Sequence, residues 1–177
     1  INKSKKVKYY KSKLKHIQRN LSRKYEKRKS ENFYNKEMSK NEIRESKKLQ
    51  SLFRKLTNIR DNYIHQVTAE IINMLPNRIV IEDLKVSKML KDKRLSSEIH
   101  EQCFWKFREY LTYKCEEKGI ELVVADRYYP SSKTCSCCGN IKKNLKLSDR
   151  TYICDKCGLI IDRDLNAAIN LMSYIPQ

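Results

Sequence analysis

The stretch T-C-S-C-C-G (Thr134–Gly139) is followed by Y-I-C-D-K-C-G (Tyr152–Gly158) and then by D-R-D-L-N-A-A-I-N-L (Asp162–Leu171). Each of the first two segments contains a C-x-x-C pair, and fifteen residues separate the two pairs. This spacing predicts a zinc ribbon, in which two tight turns each supply two thiolates to one tetrahedral ion. We expect the ligands to be Cys135, Cys138, Cys154 and Cys157.

Glycines support this prediction. The chain has three, and two of them, Gly139 and Gly158, follow the second cysteine of each pair. A knuckle turn needs a residue that adopts a positive φ at this point, and glycine does so without steric cost. Cys137 lies inside the first knuckle, and we predict that it is not a ligand.

Two other interpretations of the cysteines remain open. Disulfides or idle thiols are disfavoured because the charge and the lack of a visible secretory signal predict a cytoplasmic, reducing location. A rubredoxin-like iron site has similar knuckles, and a red protein would reveal it. No run of 18 apolar residues exists, so we expect no membrane-spanning helix.

The positive charge is concentrated at one end of the chain. The formal net charge is +18, and residues 1–60 hold twenty-one Lys and Arg against five Glu. Five acids cannot pair with so many bases, which favours a surface for a phosphate backbone over a merely solubilising helix. Binding to such a surface weakens steeply with salt, because counterions are released.

Helical periodicity extends over this basic part of the chain. Apolar residues at intervals of three and four predict one helix within residues 1–30 and a second from Asn41 to about Leu75. The first stripe comprises Tyr9, Tyr10, Leu14, Ile17, Leu21 and Tyr25. The second comprises Leu49, Leu52, Phe53, Leu56, Ile59, Tyr63, Ile64, Val67 and Ile71. Asn41 is the predicted N-cap, and Pro76 ends the pattern.

The two helices predict an antiparallel basic hairpin over residues 1–76. Each helix would bury its apolar stripe against the other and leave its bases outward. An RNA or DNA backbone could then lie along the outward surface. The bases that we expect to contact nucleic acid are Lys11, Lys15, Arg19, Arg23 and Lys24.

An α/β segment follows, over residues 77–126. The β-branched run 78–84 and the run 120–126 predict two buried strands. Between them lie a lysine-rich loop (85–95) and a helix from Ser96 or Ser97 to about Lys118, with Gly119 as C-cap. A strand, a helix and a strand in this order make the two strands parallel. Cys103 and Cys115 are predicted to be buried packing thiols on the helix.

Two carboxylates flank the predicted ribbon, which spans residues 127–161. Glu82 ends the first strand, and Asp164 opens a last helix within residues 162–177. Side chains at the carboxyl ends of parallel strands meet at one sheet edge, where carboxylates suit Mg²⁺ or Mn²⁺ and phosphodiester chemistry. The ordinary alternatives are that Asp164 is an N-cap and Glu82 a solvated strand end.

A family resemblance joins these motifs. I-V-I-E-D-L, S-S-K-T-C-S-x-C-G, Y-x-C-x-x-C-G and D-R-D-L-N-A-A-I-N-L, in this order, resemble the C-terminal half of the transposon-encoded TnpB (OrfB) family, which is related to type V CRISPR effectors. The resemblance implies a RuvC-like, RNase H-type nuclease fold with an inserted zinc ribbon. It implies an RNA guide and a DNA target.

The same resemblance assigns roles to particular residues. Glu82 matches the second catalytic carboxylate and Asp164 the third, and both would hold Mg²⁺ or Mn²⁺. Asp162 would support its neighbour, and the four cysteines would bind zinc.

One element of the family pattern is missing. The first catalytic aspartate lies on a strand before the basic hairpin, whereas the first Asp here is Asp61, inside a helical pattern. We therefore expect the chain to begin after that motif and to be inactive alone. The strand at 79–81 would keep an open edge and need an N-terminal partner for solubility. The alternatives are a non-catalytic zinc-ribbon protein that binds DNA or RNA, and a degenerate fragment without function.

Overall fold

The computed structural model describes residues 5–30, 37–92, 96, 99, 102–146 and 148–176. Its named elements are α1 (Lys5–Ser30), α2 (Lys40–Asn73), β1 (Arg78–Glu82), α3 (Val86–Met89), α4 (Phe104–Lys118), β2 (Glu121–Ala125), β3 (Thr151–Ile153), β4 (Ile160–Asp162) and α5 (Arg163–Met172). The chain divides into two compact units. A helical unit comprises Ile1–Glu70 and Asp92–Tyr110, and a mixed unit comprises Ile71–Lys91 and Leu111–Gln177.

The inward face of α1 follows from alternating intervals of three and four residues. The buried or half-buried positions at these intervals are Val7, Tyr10, Leu14, Ile17, Leu21, Lys24 and Arg28, and their neighbours Lys11 and Asn20 are also half-buried. Tyr9 and Tyr25 were predicted on this stripe, but each is 54% exposed. Each lies one residue off the stripe, which turns its side chain about 100° around the helix.

On α2, the predicted apolar stripe is partly wrong in the same way. Leu52, Leu56 and Ile64 are buried as expected, whereas Phe53 and Tyr63 are each 45% exposed. The two aromatic residues are sequence neighbours of buried positions, so they lie at the flank of the buried face rather than within it.

Contacts between α1 and α2 show an antiparallel pair. The Lys55 ammonium lies 5.8 Å from the centre of the Tyr10 ring, near the start of α1. The Arg28 guanidinium lies 3.4 Å from the Glu42 carboxylate, near the end of α1 and the start of α2. The start of one helix therefore meets the middle of the other, and the end of α1 meets the beginning of α2, as the predicted hairpin requires.

A capping box begins α2, and it is built on Ser39 rather than on the predicted Asn41. The Ser39 amide donates to Glu42 Oε2 at 2.9 Å, and the Glu42 amide donates to Ser39 Oγ at 3.3 Å. This reciprocal S-x-x-E pattern satisfies two amides that lack helical partners. Asn41 lies inside the first turn, where its Oδ1 accepts from Arg44 at 3.4 Å.

In the mixed unit, β1 and β2 are parallel neighbours, as predicted. Their register pairs Arg78 with Glu121 at one end and Glu82 with Ala125 at the other. α4 connects back to β2 through a Schellman turn at Gly119, whose φ is +66°. The Gly119 amide donates to the Glu116 carbonyl and the Ile120 amide to the Cys115 carbonyl, at 3.3 and 2.9 Å.

The helix before β2 differs from the prediction at its start. Cys103 has a φ of +52°, and α4 begins after it at Phe104. Left-handed backbone at a non-glycine residue interrupts the predicted continuous helix. Ser96 is helical, and Ser97 lies outside the described residues. Cys115 is buried as expected, whereas Cys103 is only half-buried. The short helix α3 falls within the segment predicted as a loop.

The C-terminal part of the mixed unit contains the β3–β4 hairpin and α5. The two strands are antiparallel, with Tyr152 opposite Ile161. α5 contacts β1, β3 and β4, so one helix touches both two-stranded sheets. None of the helices in the described ranges has the length and hydrophobicity that a bilayer crossing requires.

The capping box yields a direct test. We expect Ser39→Ala to lower the free energy of unfolding by about 1 kcal/mol, because the Glu42 amide loses the hydroxyl that accepts its hydrogen bond. Urea unfolding followed by circular dichroism measures the change. Asn41→Ala is the matched control and should have little effect. A larger loss for Asn41→Ala than for Ser39→Ala would contradict the observed cap.

Candidate metal centre and carboxylate cleft

The four predicted zinc ligands meet at one point of the mixed unit. The sulfur atoms of Cys135, Cys138, Cys154 and Cys157 all lie within 4.8 Å of one another. Two of the separations, Cys135–Cys157 and Cys138–Cys154, are 3.6 Å. A tetrahedral ion with Zn–S bonds of 2.3 Å needs sulfur atoms about 3.8 Å apart, whereas a disulfide needs about 2.0 Å. The spacing fits a four-thiolate ion and excludes disulfides.

The two knuckles have the same backbone. The Gly139 amide donates to the Cys135 carbonyl at 2.9 Å, and the Gly158 amide donates to the Cys154 carbonyl at 3.1 Å. Both glycines have positive φ, +71° and +72°, as predicted. Cys137 is exposed and is not a member of the four-cysteine cluster.

Backbone amides prepare one thiol for metal binding. The amides of Cys157 and Lys156 donate to Cys154 Sγ at 3.5 and 3.4 Å. These hydrogen bonds, led by that of Cys157, lower the pKa of the Cys154 thiol to about 6. The lowered pKa favours the thiolate form of Cys154, and thiolate is the form that binds zinc.

Tyr152 fills the small core beneath the cluster. It is fully buried and packs with Cys135 and Cys154. Its hydroxyl donates to the carbonyls of Lys133 and Asn140 at 3.2 and 3.4 Å. Burial raises the pKa of Tyr152 to about 12, so the ring stays neutral. So small a core gives little stability by itself, and a metal bound by the four cysteines would add to it.

Two asparagines on α5 bind the segment that leads into the first knuckle. Asn166 accepts from the Ser136 amide at 3.0 Å and donates to the Thr134 carbonyl at 2.7 Å. Asn170 donates to the carbonyls of Ser131 and Thr134, both at 2.7 Å. Both asparagines are buried. Sequence reasoning missed them, although polar residues four apart on one helical face were a visible signal.

A cleft of about 500 Å³ opens at the carboxyl ends of β1 and β2. Glu82 ends β1 and Asp126 follows β2, so the parallel register brings both carboxylates to this edge. The lining residues are Glu82, Asp83, Leu84, Lys85, Lys88, Met89, Asp126, Arg127, Tyr129, Ser131, Ser132 and Leu171. Acidic, basic and hydroxyl groups thus converge at one sheet edge.

Glu82 is held by a hydrogen bond across this cleft. The hydroxyl of Ser131 donates to Glu82 Oε1 at 2.9 Å. Ser131 is itself only 5% exposed, and its carbonyl accepts from Asn170. Asp83 pairs with the Arg127 guanidinium beside it. Ser131 and Asp126 are further cleft residues that sequence reasoning did not single out.

Asp164 lies outside the group of residues that line the cleft. It is the second residue of α5, and its side chain is 77% exposed. It is not the helix cap that the sequence allowed, because Asp162 caps α5 by accepting from the amides of Asp164 and Leu165 at 2.9 and 3.0 Å. Asp164 and Leu171 are seven residues apart and share one helical face, about 10 Å apart along the axis.

The predicted nucleic-acid contacts lie on α1. Lys15, Arg19 and Arg23 are exposed and follow one another at intervals of four, which places them on one face. Lys11 continues the same row and is half-buried. Lys24 is also half-buried and belongs to the inward stripe, so it differs from the other four.

Asp61, the first aspartate of the chain, forms an ion pair within the helical unit. Both of its carboxylate oxygens accept from the Lys106 ammonium, at 2.6 and 2.7 Å. The hydrogen bond with Asp61 raises the pKa of Lys106, so its ammonium group stays charged across the neutral range.

Comparison with known proteins shows which family the chain resembles. The sequence model of the family "Cas12f1-like, TNB domain" matches residues 104–171. A putative RNA-guided DNA endonuclease of Streptomyces pristinaespiralis is 36% identical over 76% of this chain and 33% of its own length. A TnpB-like protein of Acanthamoeba polyphaga mimivirus is 31% identical over 76% of this chain and 26% of its own length. The chain is a TnpB relative.

A solved structure agrees with the sequence comparison. The cryo-EM structure of a CRISPR–Cas12f ternary complex matches with a TM-score of 0.64 and 21% identity, covering 94% of this chain and 32% of that one. This likeness concerns the fold alone. The chain spans about a third or less of the length of the two relatives named above. The four cysteines lie within residues 104–171, the range that the family model matches.

The metal centre has a clear biochemical signature. We expect the purified protein to carry one zinc ion per chain, because four thiolates fit one tetrahedral site. Cys138→Ser should lower the zinc content strongly, and the matched control Cys137→Ser should leave it unchanged. Metal analysis with a chromogenic chelator measures both. Iron in place of zinc, or equal losses in the two variants, would contradict the assignment.

Proposed function

We propose that this chain is the part of a TnpB-type, RNA-guided DNA endonuclease that supplies two catalytic carboxylates, the zinc ribbon and a basic helical hairpin. The observation that carries the proposal is the position of Glu82 at the carboxyl edge of a parallel strand pair, in a cleft that several basic groups also line. In α/β sheets this edge is the usual place for a catalytic site. The names of the relatives point to the same chemistry.

We further propose an RNase H-like arrangement for the mixed unit. Its parallel pair β1–β2, joined through α4 and contacted by α5, supports this fold. The proposed segments are the hairpin over residues 1–76, the α/β segment over 77–126, the ribbon over 127–161 and the closing helix over 162–177. A strand from the N-terminal part of the nuclease would pair with the remaining edge of β1 and bring the third carboxylate.

Glu82 and Asp164 are the proposed ligands for Mg²⁺ or Mn²⁺ in the complete nuclease. Carboxylate oxygens suit these hard cations. When bound, such ions activate the attacking water and stabilise the leaving oxygen of a phosphodiester. The chain's own contribution is to aim Glu82: the Ser131 hydroxyl fixes one carboxylate oxygen, and Asn170 fixes Ser131. Asp164 extends the same α5 face as Leu171, which lines the cleft.

The basic hairpin is the proposed surface for guide RNA or target DNA. Its row of exposed bases, Lys15, Arg19 and Arg23, repeats every four residues, a distance of about 6 Å along the helix axis. That interval is close to the spacing of phosphates along one strand. The rest of the α1 surface is also basic, so electrostatic attraction to a polyanion extends over its length.

Cleavage tests the carboxylates. The chain is combined with the N-terminal part of a TnpB-type nuclease and its guide, and Mg²⁺-dependent cleavage of target DNA is measured. We expect Glu82→Gln to reduce cleavage by more than about 100-fold, and Ser131→Ala by roughly 10- to 100-fold, the usual effect of losing a group that orients a metal ligand.

The matched control for this experiment is Glu121→Gln, because Glu121 lies at the opposite end of the same strand pair. It should leave cleavage unchanged. Nucleic-acid affinity should be unaffected in all three variants. Unchanged cleavage with Glu82→Gln would overturn the catalytic role and favour a zinc-ribbon protein that binds nucleic acid without cutting it.

Salt dependence tests the hairpin. Replacing Lys15, Arg19 and Arg23 together by Gln should weaken DNA binding and reduce the slope of log affinity against log salt by roughly one for each lost phosphate contact. Fluorescence anisotropy at several salt concentrations measures the slope. A triple Gln variant of Lys118, Lys143 and Lys146, all exposed and outside the hairpin, is the charge-matched control. An equal effect in the control would contradict a special role for α1.

A further inference from the structure

The turn that follows β2 presents an aromatic ring to solvent. Tyr128 is 86% exposed, the largest value among the exposed large hydrophobic residues of the described ranges. Its sequence neighbour Tyr129 is half-buried. An isolated exposed aromatic residue needs no explanation, but this one lies beside the carboxylate cleft, since Arg127 and Tyr129 on either side of it both line that cleft.

The backbone around Tyr128 is held in place. Asp126 Oδ1 accepts from the Tyr128 amide at 2.7 Å, and the Asp126 carbonyl accepts from the Tyr129 amide at 3.1 Å. The Asp126 amide donates to the Tyr174 hydroxyl at 3.0 Å, and the Tyr129 hydroxyl donates to the Asn170 carbonyl at 3.1 Å. The ring of Tyr128 is thus presented by a turn with little freedom, which lowers the entropic cost of binding to it.

A second hollow, of about 470 Å³, adjoins the first. It is lined by Asp126, Tyr128, Tyr129, Ser173, Tyr174 and Ile175. Asp126 and Tyr129 line both hollows, so the two are continuous. The rings of Tyr129 and Tyr174 meet edge to face, with their centres 4.9 Å apart, and both residues line this hollow together with Tyr128.

The two hollows differ in chemistry in a way that matches a nucleotide chain. The cleft offers cationic groups on Lys85, Lys88 and Arg127 next to carboxylates, whereas the second hollow offers aromatic faces. Phosphates bind cations and bases stack on aromatic rings. A duplex keeps its bases stacked inside, so only a single strand, or a base turned out of a duplex, can use both hollows together.

We propose that Tyr128 is a stacking platform for an unpaired base of a single-stranded nucleic acid whose adjoining phosphate enters the carboxylate cleft. This inference rests on the proposed function for the cleft but adds a subsite to it. A protein partner fits less well. A stable protein interface needs about 800 Å² from each side, and its centre is depleted of charge, whereas this hollow adjoins a cleft rich in charged groups.

Binding of a short oligothymidylate that carries one 2-aminopurine tests the proposal. The full chain is titrated in buffer without Mg²⁺, so that cleavage does not interfere. Tyr128→Ala should weaken binding by about 5- to 150-fold, which corresponds to stacking of ~1–3 kcal/mol. It should also remove the fluorescence quenching of the 2-aminopurine. Tyr128→Phe should retain both. Affinity for a duplex of equal length should change less than about 2-fold in either variant.

Trp105→Ala is the matched control, because Trp105 is an exposed aromatic residue of α4 that lies outside the hairpin segment and does not line either hollow. It should leave the oligothymidylate affinity unchanged. Zinc content and the unfolding midpoint confirm that each variant is folded. Unchanged affinity and quenching in Tyr128→Ala, or an equal loss for single-stranded and duplex DNA, would overturn the proposal.

Failure of this inference can be distinguished from failure of the catalytic assignment. If the cleft is not catalytic, Glu82→Gln leaves cleavage unchanged while Tyr128→Ala still weakens single-strand binding. If Tyr128 does not stack, Tyr128→Ala leaves single-strand binding intact while Glu82→Gln still abolishes cleavage.

Discussion

Hydrogen bonds from two buried asparagines of α5 connect the metal centre with the carboxylate edge. Asn166 and Asn170 both donate to the Thr134 carbonyl. Asn166 also accepts from the Ser136 amide, and Asn170 also donates to the Ser131 carbonyl. An amide deprived of its partner in such a place costs about 1–3 kcal/mol. The segment between the cleft and the ribbon is therefore not a free linker, and its position depends on α5.

The hydrogen bonds of the two asparagines affect both the first knuckle and the sheet edge. Toward the ribbon, Cys135 follows Thr134 directly, so the first knuckle starts from a fixed point. Toward the sheet edge, Ser131 is held by Asn170 and in turn holds Glu82. A metal bound by the four cysteines would therefore also stabilise the segment whose Ser131 contacts Glu82, because both belong to one hydrogen-bonded unit. This arrangement gives a physical reason why a zinc ribbon interrupts an α/β segment without loosening its sheet edge.

Sequence patterns were reliable where local chemistry decides the structure. The C-x-x-C pairs and the glycines behind them predicted both knuckles, since only a narrow set of turns brings four thiolates to one ion. Two β-branched runs around a helix predicted the parallel pair. The errors concern neighbours of the true positions: Asn41 was chosen instead of Ser39 as cap, and Asp164 was allowed as a cap where Asp162 acts. Periodicity also placed Tyr9, Tyr25, Phe53 and Tyr63 on buried faces that they only flank.

The sequence by itself determined which four cysteines come together, the order of the elements and the edge at which Glu82 lies, because spacing and chain direction are local properties. Only the tertiary structure decided which side chains surround Glu82. Ser131 is 49 residues away along the chain, and it is held beside Glu82 by α5, which contacts β1 and whose Asn170 donates to the Ser131 carbonyl. No pattern within one segment encodes such a contact, since it depends on three elements packing together.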